Sequence, residues 1–338
     1  MKKKLLAGLI ALSLIPSLAS ATEQQLNYPA GHADANIIPF PDNQLQTAQA
    51  DLWQVITKDT TLIEGPAFDT HGNLYLTDLY HGQVVKVDNH NNVSIVHSSK
   101  EYAPCSIAIT QDGKLVVAAV AFDGSKGMIF SMNADGSDIQ TLVNTDKGFR
   151  PNDMVFDKNG GFYFTDASGN SGDPAGGVYY VSPDFKTVTP ILKNLSGGNG
   201  IALSPDGKTL WVVEFSAGVL HRLLMQDATH IRAFGENVAY RFNGLVADSM
   251  KADSDGNLYI ALHGQGRVIV LNQNAVPIGQ ITLAGRDQGH YLRSTNLAFK
   301  PGTREVYITS SNDEDLKTGS AVFKAYGFAP AINDYWKK

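Results

Sequence analysis

Short apolar or alternating runs, each preceded by a tight-turn signal, recur along the chain. Six segments share this form: a polar turn with one glycine leads into a strand-like run rich in β-branched and aromatic residues. They are DTHGNLYLTD, TQDGKLVVAA, DKNGGFYFTD, SPDGKTLWVVE, DSDGNLYIAL and KPGTREVYITS. Such turns between such runs predict hairpins. Because no helical periodicity of useful length lies between them, the pattern predicts an all-β fold.

The turn glycines define an internal repeat. They are Gly72, Gly113, Gly160, Gly207, Gly256 and Gly302, at intervals of 41, 47, 47, 49 and 46 residues. Further short strands such as QVVKVD and GVYYVS follow within each repeat, and four strands in a unit of about 40–50 residues are typical of a propeller blade. We therefore predict a six-bladed β-propeller with four antiparallel strands per blade. DLWQVIT near the N-terminus and SAVFKAYGF near the C-terminus are expected to complete one blade and close the ring.

The first 21 residues predict a secretory signal peptide, since three lysines, a short apolar run and an A-x-A cleavage site follow one another. The alternative is an uncleaved anchor. We expect cleavage before Thr22, no membrane insertion afterwards, and a periplasmic or secreted protein. Residues 22–50 are polar and mixed, which predicts an N-terminal extension. Residues 51–338 are predicted to form a single propeller domain.

Charge and cysteine content limit the function classes. Without the three signal lysines, 24 basic residues face 33 acidic ones, for a formal charge of −9. An acidic surface argues against binding to nucleic acid or to anionic membranes. The one cysteine, Cys105, rules out an intrachain disulfide, and a packed thiol is the favoured interpretation. We expect a monomer that acts on a small molecule.

Polar residues recur eight positions before each turn glycine, at one predicted height around the propeller axis. The six residues are Glu64, Cys105, Asn152, Asn199, Asp248 and Ser294. Glu64, Asn152, Asn199 and Asp248 offer carboxylate and amide oxygens, which suit Ca²⁺, with Mg²⁺, Mn²⁺ or Zn²⁺ as substitutes. Zn²⁺ is the least favoured, because no His or Cys pair has ligand spacing. The alternative is that these side chains only satisfy local backbone groups at strand starts.

Four motifs resemble those of the senescence-marker-protein / gluconolactonase / luciferin-regenerating-enzyme family. They are EGP from Glu64, RPND from Arg150, NGIALSPDGKTLWV from Asn199 and DSMKADSDGNLYIA from Asp248. The resemblance covers about residues 50–328. It implies a six-bladed propeller with a divalent metal, usually calcium, near the axis, and hydrolysis of lactones. It also implies that Glu64, Asn199 and Asp248 bind the metal.

The same resemblance implies that Asn152 lies beside the metal, as ligand or substrate contact, and that Arg150 contacts substrate. GGVYYVSPDFKTVTPI and GRDQGHYLRST look like the bacterial drug-responsive lactonases, which carry Asp at the Asn152 position, whereas RPND looks like a sugar lactonase. A sugar lactone such as gluconolactone and an aromatic lactone therefore both stay open as substrates. A second, structural Ca²⁺ also stays open, because NADGSD and DSDGN resemble fragments of calcium loops but fit hairpin turns better.

The expected chemistry is a metal-polarised lactone carbonyl attacked by water, with Asp248 as general base. Direct attack by the Asp248 carboxylate is the alternative. Ser249 and His290 are further candidates for substrate binding, although a strand serine bonded to backbone and a structural histidine are the simpler interpretations. No G-x-S-x-G elbow supports an α/β-hydrolase mechanism. Phosphotriester hydrolysis at the same calcium site and a non-enzymatic propeller binding module are the competing functions.

Overall fold

A computed structural model describes residues 38–244, 247–312 and 319–332 of the chain. The predicted signal peptide, residues 1–21, and residues 22–37 of the predicted extension lie outside the described residues. The described ranges contain 24 strands and two 3-10 helices of three residues each, so the all-β prediction is confirmed. Within these ranges, no helix is long and apolar enough to cross a membrane.

The strands follow one another at short intervals along the chain. They are β1 (Thr47–Thr57), β2 (Ile63–Phe68), β3 (Leu74–Asp78), β4 (Gln83–Val87), β5 (Val93–Ser98), β6 (Tyr102–Ile109), β7 (Leu115–Ala121), β8 (Gly127–Met132), β9 (Gln140–Val143), β10 (Pro151–Phe156), β11 (Phe162–Asp166), β12 (Gly176–Val181), β13 (Val188–Leu195), β14 (Gly198–Leu203), β15 (Thr209–Glu214), β16 (Val219–Met225), β17 (Ile231–Arg241), β18 (Ala247–Ala252), β19 (Leu258–Leu262), β20 (Arg267–Leu271), β21 (Pro277–Leu283), β22 (Arg293–Phe299), β23 (Glu305–Ser311) and β24 (Ser320–Tyr326). The 3-10 helices are Thr145–Lys147 and Arg286–Gln288.

Consecutive strands pair into four-stranded antiparallel meanders. Four sheets contain β2 to β5, β6 to β9, β10 to β13 and β14 to β17, and an eight-stranded sheet contains β18 to β21 followed by β1, β24, β23 and β22. In the larger sheet β1 pairs antiparallel with β24 and parallel with β21. The predicted pairing of strands from the two chain ends is confirmed. β1 begins at Thr47, inside the segment predicted to be extension.

The first strand of each meander contacts the first strand of the next. These contacts run from β2 through β6, β10, β14, β18 and β22 and return to β2. Such inner strands are largely buried, and β14 is buried along its whole length. Apolar side chains from adjacent sheets pack between them; Phe164 and Val116, for example, belong to one core cluster. The arrangement is that of a β-propeller, in which the starts of the inner strands meet around a common axis.

The described end of the predicted extension packs against β20. Asp42 is 2% exposed, and its carboxylate accepts a 2.6 Å hydrogen bond from the buried guanidinium of Arg267. Arg267 also donates to the side chains of Gln265 and Gln280. Because a buried charge needs such partners, this network fixes residues 38–46 against the outside of the sheet.

Candidate functional site

The predicted axial residues occupy equivalent places on the inner strands. Glu64, Asn152, Asn199 and Asp248 are each the second residue of their strand. Each inner strand also carries a register shift against its neighbour at this height, as between Glu64 and Ala67 on β2. Since a bulge bends the strand and redirects its side chains, the shared irregularity turns this position away from the regular sheet face.

Glycines that follow two axial residues allow adjacent inner strands to approach closely. Gly65 has φ +52°, and a Cβ placed there would lie 2.4 Å from the Cα of Ser106 on β6. At Gly200 a Cβ would lie 2.5 Å from the carbonyl oxygen of Asp248. A side chain at either position would force the strands apart, so these glycines help to bring the axial residues together.

We expect Gly65→Ala to destabilise the protein strongly. Gly72→Ala is the matched control, because Gly72 also has positive φ, at +82°, but has nothing within 4 Å of the added Cβ. The control should cost about 1–2 kcal/mol for the left-handed backbone alone. Gly65→Ala should cost roughly 1–3 kcal/mol more, because the added methyl overlaps backbone. Urea denaturation of both variants measures the difference, and equal losses would show that close approach at Gly65 is unimportant.

Two carboxylates of the predicted set are buried near each other. Glu64 and Asp248 are both 5% exposed, and Asn199 is 7% exposed. The Oε2 atom of Glu64 accepts hydrogen bonds from Nδ2 of Asn296 at 2.9 Å and from the backbone N–H of Gly65 at 2.7 Å. The Oγ atom of Ser249 donates to Oδ1 of Asn199 at 3.4 Å.

Burial makes both carboxylates hard to ionise in the absence of a cation. Burial raises the pKa of Asp248 to about 8; a hydrogen bond from Asn199 opposes this rise, and the charge of Asp153 adds to it. Burial also raises the pKa of Glu64 well above its usual value, and the negative charge of Asp248 raises it further. The pair therefore exerts an attraction for positive charge that the surrounding hydrogen bonds do not cancel.

The donor set fits a hard divalent cation. Carboxylates of Glu64 and Asp248 with the amide oxygen of Asn199 are the oxygen ligands that Ca²⁺ favours, and a cation would relieve the repulsion between the two acids. No group of three or more His, Cys, Asp or Glu side chains is arranged to hold a metal in the described residues. The predicted ligand set does not form such a group, because only Glu64 and Asp248 are acids and the other two members, Asn152 and Asn199, are amides.

The remaining predicted residues differ in their burial and in their contacts. Asn152 is partly exposed on β10, and Arg150, also partly exposed, precedes it with a buried Nε atom that lacks a hydrogen-bond partner. Cys105 is buried, and its pKa is raised to about 12, mainly by burial and then by the charge of Glu64, so its thiol is neutral. His290 contacts Gly285 and Tyr291 within its own connection, and no contact joins it to the two axial carboxylates in the described part of the chain. Ser249 is fully buried and supports Asn199.

Sequence reasoning missed two groups that act on the axial pair. Asn296 donates to Glu64, and Asp153 is a fully buried carboxylate whose charge raises the pKa of both Glu64 and Asp248. Asp153 was visible as the last residue of the RPND motif. Asn296 follows the in-phase Ser294 by two residues, beyond the register shift on β22, so counting from the turn glycine does not reach it.

The fold and this site define a β-propeller with a buried acidic centre on its axis. The model of the SMP-30/gluconolactonase/LRE-like region matches residues 62–312, and the chain belongs to that family. The predicted family resemblance is therefore confirmed. Two similar relatives are both named lactonase drp35. The one from Staphylococcus aureus strain COL is 43% identical over 304 residues, covering 89% of this chain and 94% of the relative. The one from Staphylococcus saprophyticus is 44% identical over 315 residues, covering 92% and 97%.

Solved structures show the same fold at lower identity. A calcium-binding protein, regucalcin, from Agrobacterium tumefaciens superposes with a TM-score of 0.68 at 20% identity, covering 85% of this chain and 99% of that one. A gluconolactonase from Xanthomonas campestris superposes with a TM-score of 0.64 at 20% identity, covering 80% and 87%. At these identities the likeness concerns the fold.

Proposed function

We propose that this protein is a calcium-dependent lactonase that hydrolyses the ester bond of a lactone at the axial site. The observation that carries the proposal is the buried pair of Glu64 and Asp248, with Asn199 beside it. Family membership supports the reaction class, since relatives 43–44% identical are named lactonases. The calcium-binding structural neighbour supports the choice of metal.

The full architecture that we propose is a six-bladed propeller. The eight-stranded sheet then counts as two blades, joined where β1 pairs with both β24 and β21. The closed ring of inner-strand contacts from β2 to β22 supports this count. The blade completed by both chain ends fastens the ring, and each blade contributes one residue to the axial position.

In the proposed mechanism a Ca²⁺ ion, when bound, would supply the positive charge that polarises the lactone carbonyl. Glu64 and Asn199 would hold the ion, and the hydrogen bonds from Asn296 and Gly65 fix the orientation of the Glu64 carboxylate. Asp248 accepts the proton of the attacking water. The oxygen of that water adds to the carbonyl carbon, the bond between this carbon and the ring oxygen breaks, and the ring oxygen takes the proton held by Asp248, which gives the hydroxy acid. Burial of the site excludes bulk water from the acid pair.

Arg150 and Asn152 are placed to meet the substrate. Both are partly exposed, Arg150 just before β10 and Asn152 as its second residue, the position that the other axial residues occupy on their strands. Ser249 and His290 remain candidates for substrate contact, with Ser249 acting through Asn199. We further propose a monomer located in the periplasm or secreted.

A lactone panel with metal control tests the function. Mature protein is treated with chelator and assayed on gluconolactone and on an aromatic lactone, before and after addition of Ca²⁺. We expect hydrolysis to disappear on chelation and return with Ca²⁺. A folded protein that binds Ca²⁺ but hydrolyses no lactone would contradict the proposal, and the same samples are then assayed on phosphotriesters.

A further inference from the structure

A third carboxylate lies buried beside the axial pair. Asp153 follows Asn152 on β10 and has no exposed surface. Its negative charge acts on both Glu64 and Asp248, whose pKa values it raises. It belongs to the electrostatic environment of the site, although it is not one of the predicted metal ligands.

Asp153 is bound on several sides. The Nζ atom of Lys251 lies 3.3 Å from each of its carboxylate oxygens. The hydroxyl of Ser106 donates to Oδ1 at 2.9 Å, and the backbone N–H of Met154 donates to the same atom at 2.8 Å. Three donors, one of them an ammonium group, thus satisfy a carboxylate that has no access to water. Its position is fixed from β6, β10 and β18 together.

Lys251 reaches Asp153 from the side of an apolar cavity enclosed by the inner strands. It lies three residues beyond Asp248 on β18, a separation of roughly 10 Å along an extended strand. Its side chain is 27% exposed and lines a cavity of about 190 Å³, whose other walls include Phe68, Ile107 and Ile332. The Asp153–Lys251 pair therefore separates the acidic centre from an apolar chamber.

The charges of these groups favour a divalent cation. Glu64, Asp248 and Asp153 carry three buried negative charges when ionised, whereas the opposing ammonium group of Lys251 is partly exposed and screened by water. A net negative charge therefore remains for Ca²⁺ to neutralise. Arg150 is partly exposed, and its charge only weakly opposes the rise that burial causes in the pKa of Cys105. Within the channel, the balance is thus set by three acids and one ammonium group.

We propose that Asp153, held by Lys251, is a positioning residue that strengthens metal binding at the axial site by supplying a third fixed negative charge. The inference rests on the proposed calcium site. Charge interactions are strong where water is excluded, so a neighbouring charge changes ion affinity without direct ligation. Lys251 keeps that carboxylate in place.

Calcium affinity of Asp153→Asn, measured by isothermal titration calorimetry after chelation and dialysis, tests the proposal. Asparagine keeps the shape and an acceptor for Ser106 and Met154, and it replaces the charged oxygen that accepts from Lys251 with an uncharged NH₂ group. We expect affinity to fall at least about tenfold, since each 1.4 kcal/mol is a factor of ten. The matched control is Asp138→Asn, which also leaves a lysine unpaired: Asp138 forms an exposed 2.8 Å pair with Lys114 on the surface. The control should bind Ca²⁺ like the unaltered protein.

A second variant keeps the test decisive if Asp153→Asn folds poorly. Asp153→Asn combined with Lys251→Met removes both charges and places an apolar side chain against the apolar cavity, so no buried charge is left unpaired. It should bind Ca²⁺ more weakly than the unaltered protein, because the lost Asp153 charge is fully buried, whereas the lost Lys251 charge is partly exposed and screened by water. Folded Asp153 variants that bind Ca²⁺ with unaltered affinity would overturn this inference alone. Failure of the unaltered protein to bind Ca²⁺ would overturn the proposed function as well.

Discussion

Asp248→Asn is expected to lower kcat/KM for lactone hydrolysis by roughly 10²–10⁴-fold, the range for loss of a general base. The substitution preserves the side-chain shape and leaves an oxygen for the metal, but it removes the group that accepts the proton from water. Because Asp248 is buried with a raised pKa, losing its charge should not unfold the metal-free protein. Steady-state kinetics at saturating Ca²⁺ measures the effect.

The matched control for that variant is Asp255→Asn. Asp255 lies exposed in the turn after the same inner strand, so the substitution changes net charge equally without touching the axis. It should retain activity within about twofold, as expected for a surface position. An Asp248→Asn enzyme with near-normal kcat/KM would show that another group activates the water. In that case Glu64, the other axial carboxylate, becomes the candidate base.

The inner-strand positions could be predicted from sequence because a period of two and a tight turn fix each register. Counting back from Gly72 or Gly207 reaches Glu64 and Asn199, and both are the second residue of their strand. The same count ends at Ser294, the second residue of β22, and does not reach Asn296, which lies two residues further along that strand. Asn296 meets Glu64 because β22 lies beside β2, and the strand pattern does not show that contact.

Contacts between distant segments were also beyond sequence reasoning. Lys251 and Asp153 are 98 residues apart, and Arg267 and Asp42 are 225 apart. Each pair forms because the ring brings separate strands together, and each residue alone looks like an ordinary surface charge. The alternating patterns predict which face of a strand is buried, but they do not show which charges meet there. Both ion pairs can therefore be recognised only in the folded structure.

Removal of calcium is expected to make stability fall as pH rises. The folded-state pKa of Asp248 is raised from 3.8 to about 8, and that of Glu64 is raised as well. A raised carboxyl pKa contributes stability below the unfolded value and loses it as pH rises through the folded value. The chelated protein should thus lose stability between about pH 4 and pH 8, by up to roughly 5 kcal/mol from Asp248 alone.

Calcium should reverse this trend, because the ion binds the ionised carboxylates and so stabilises the folded state most where they have lost their protons. At a hundredfold excess over Kd it should add about 2.7 kcal/mol. Tm is measured at pH 5 and at pH 8, with chelator and with Ca²⁺. The differences between these four values show how strongly stabilisation by Ca²⁺ depends on ionisation of the axial carboxyl groups. Asp248→Asn is the control, since it removes the principal titrating group and should flatten the pH dependence of the chelated protein. A chelated protein whose Tm is constant from pH 5 to pH 8 would mean that burial does not raise the pKa of the axial carboxyl groups in solution, which would remove the electrostatic basis for a cation at this site.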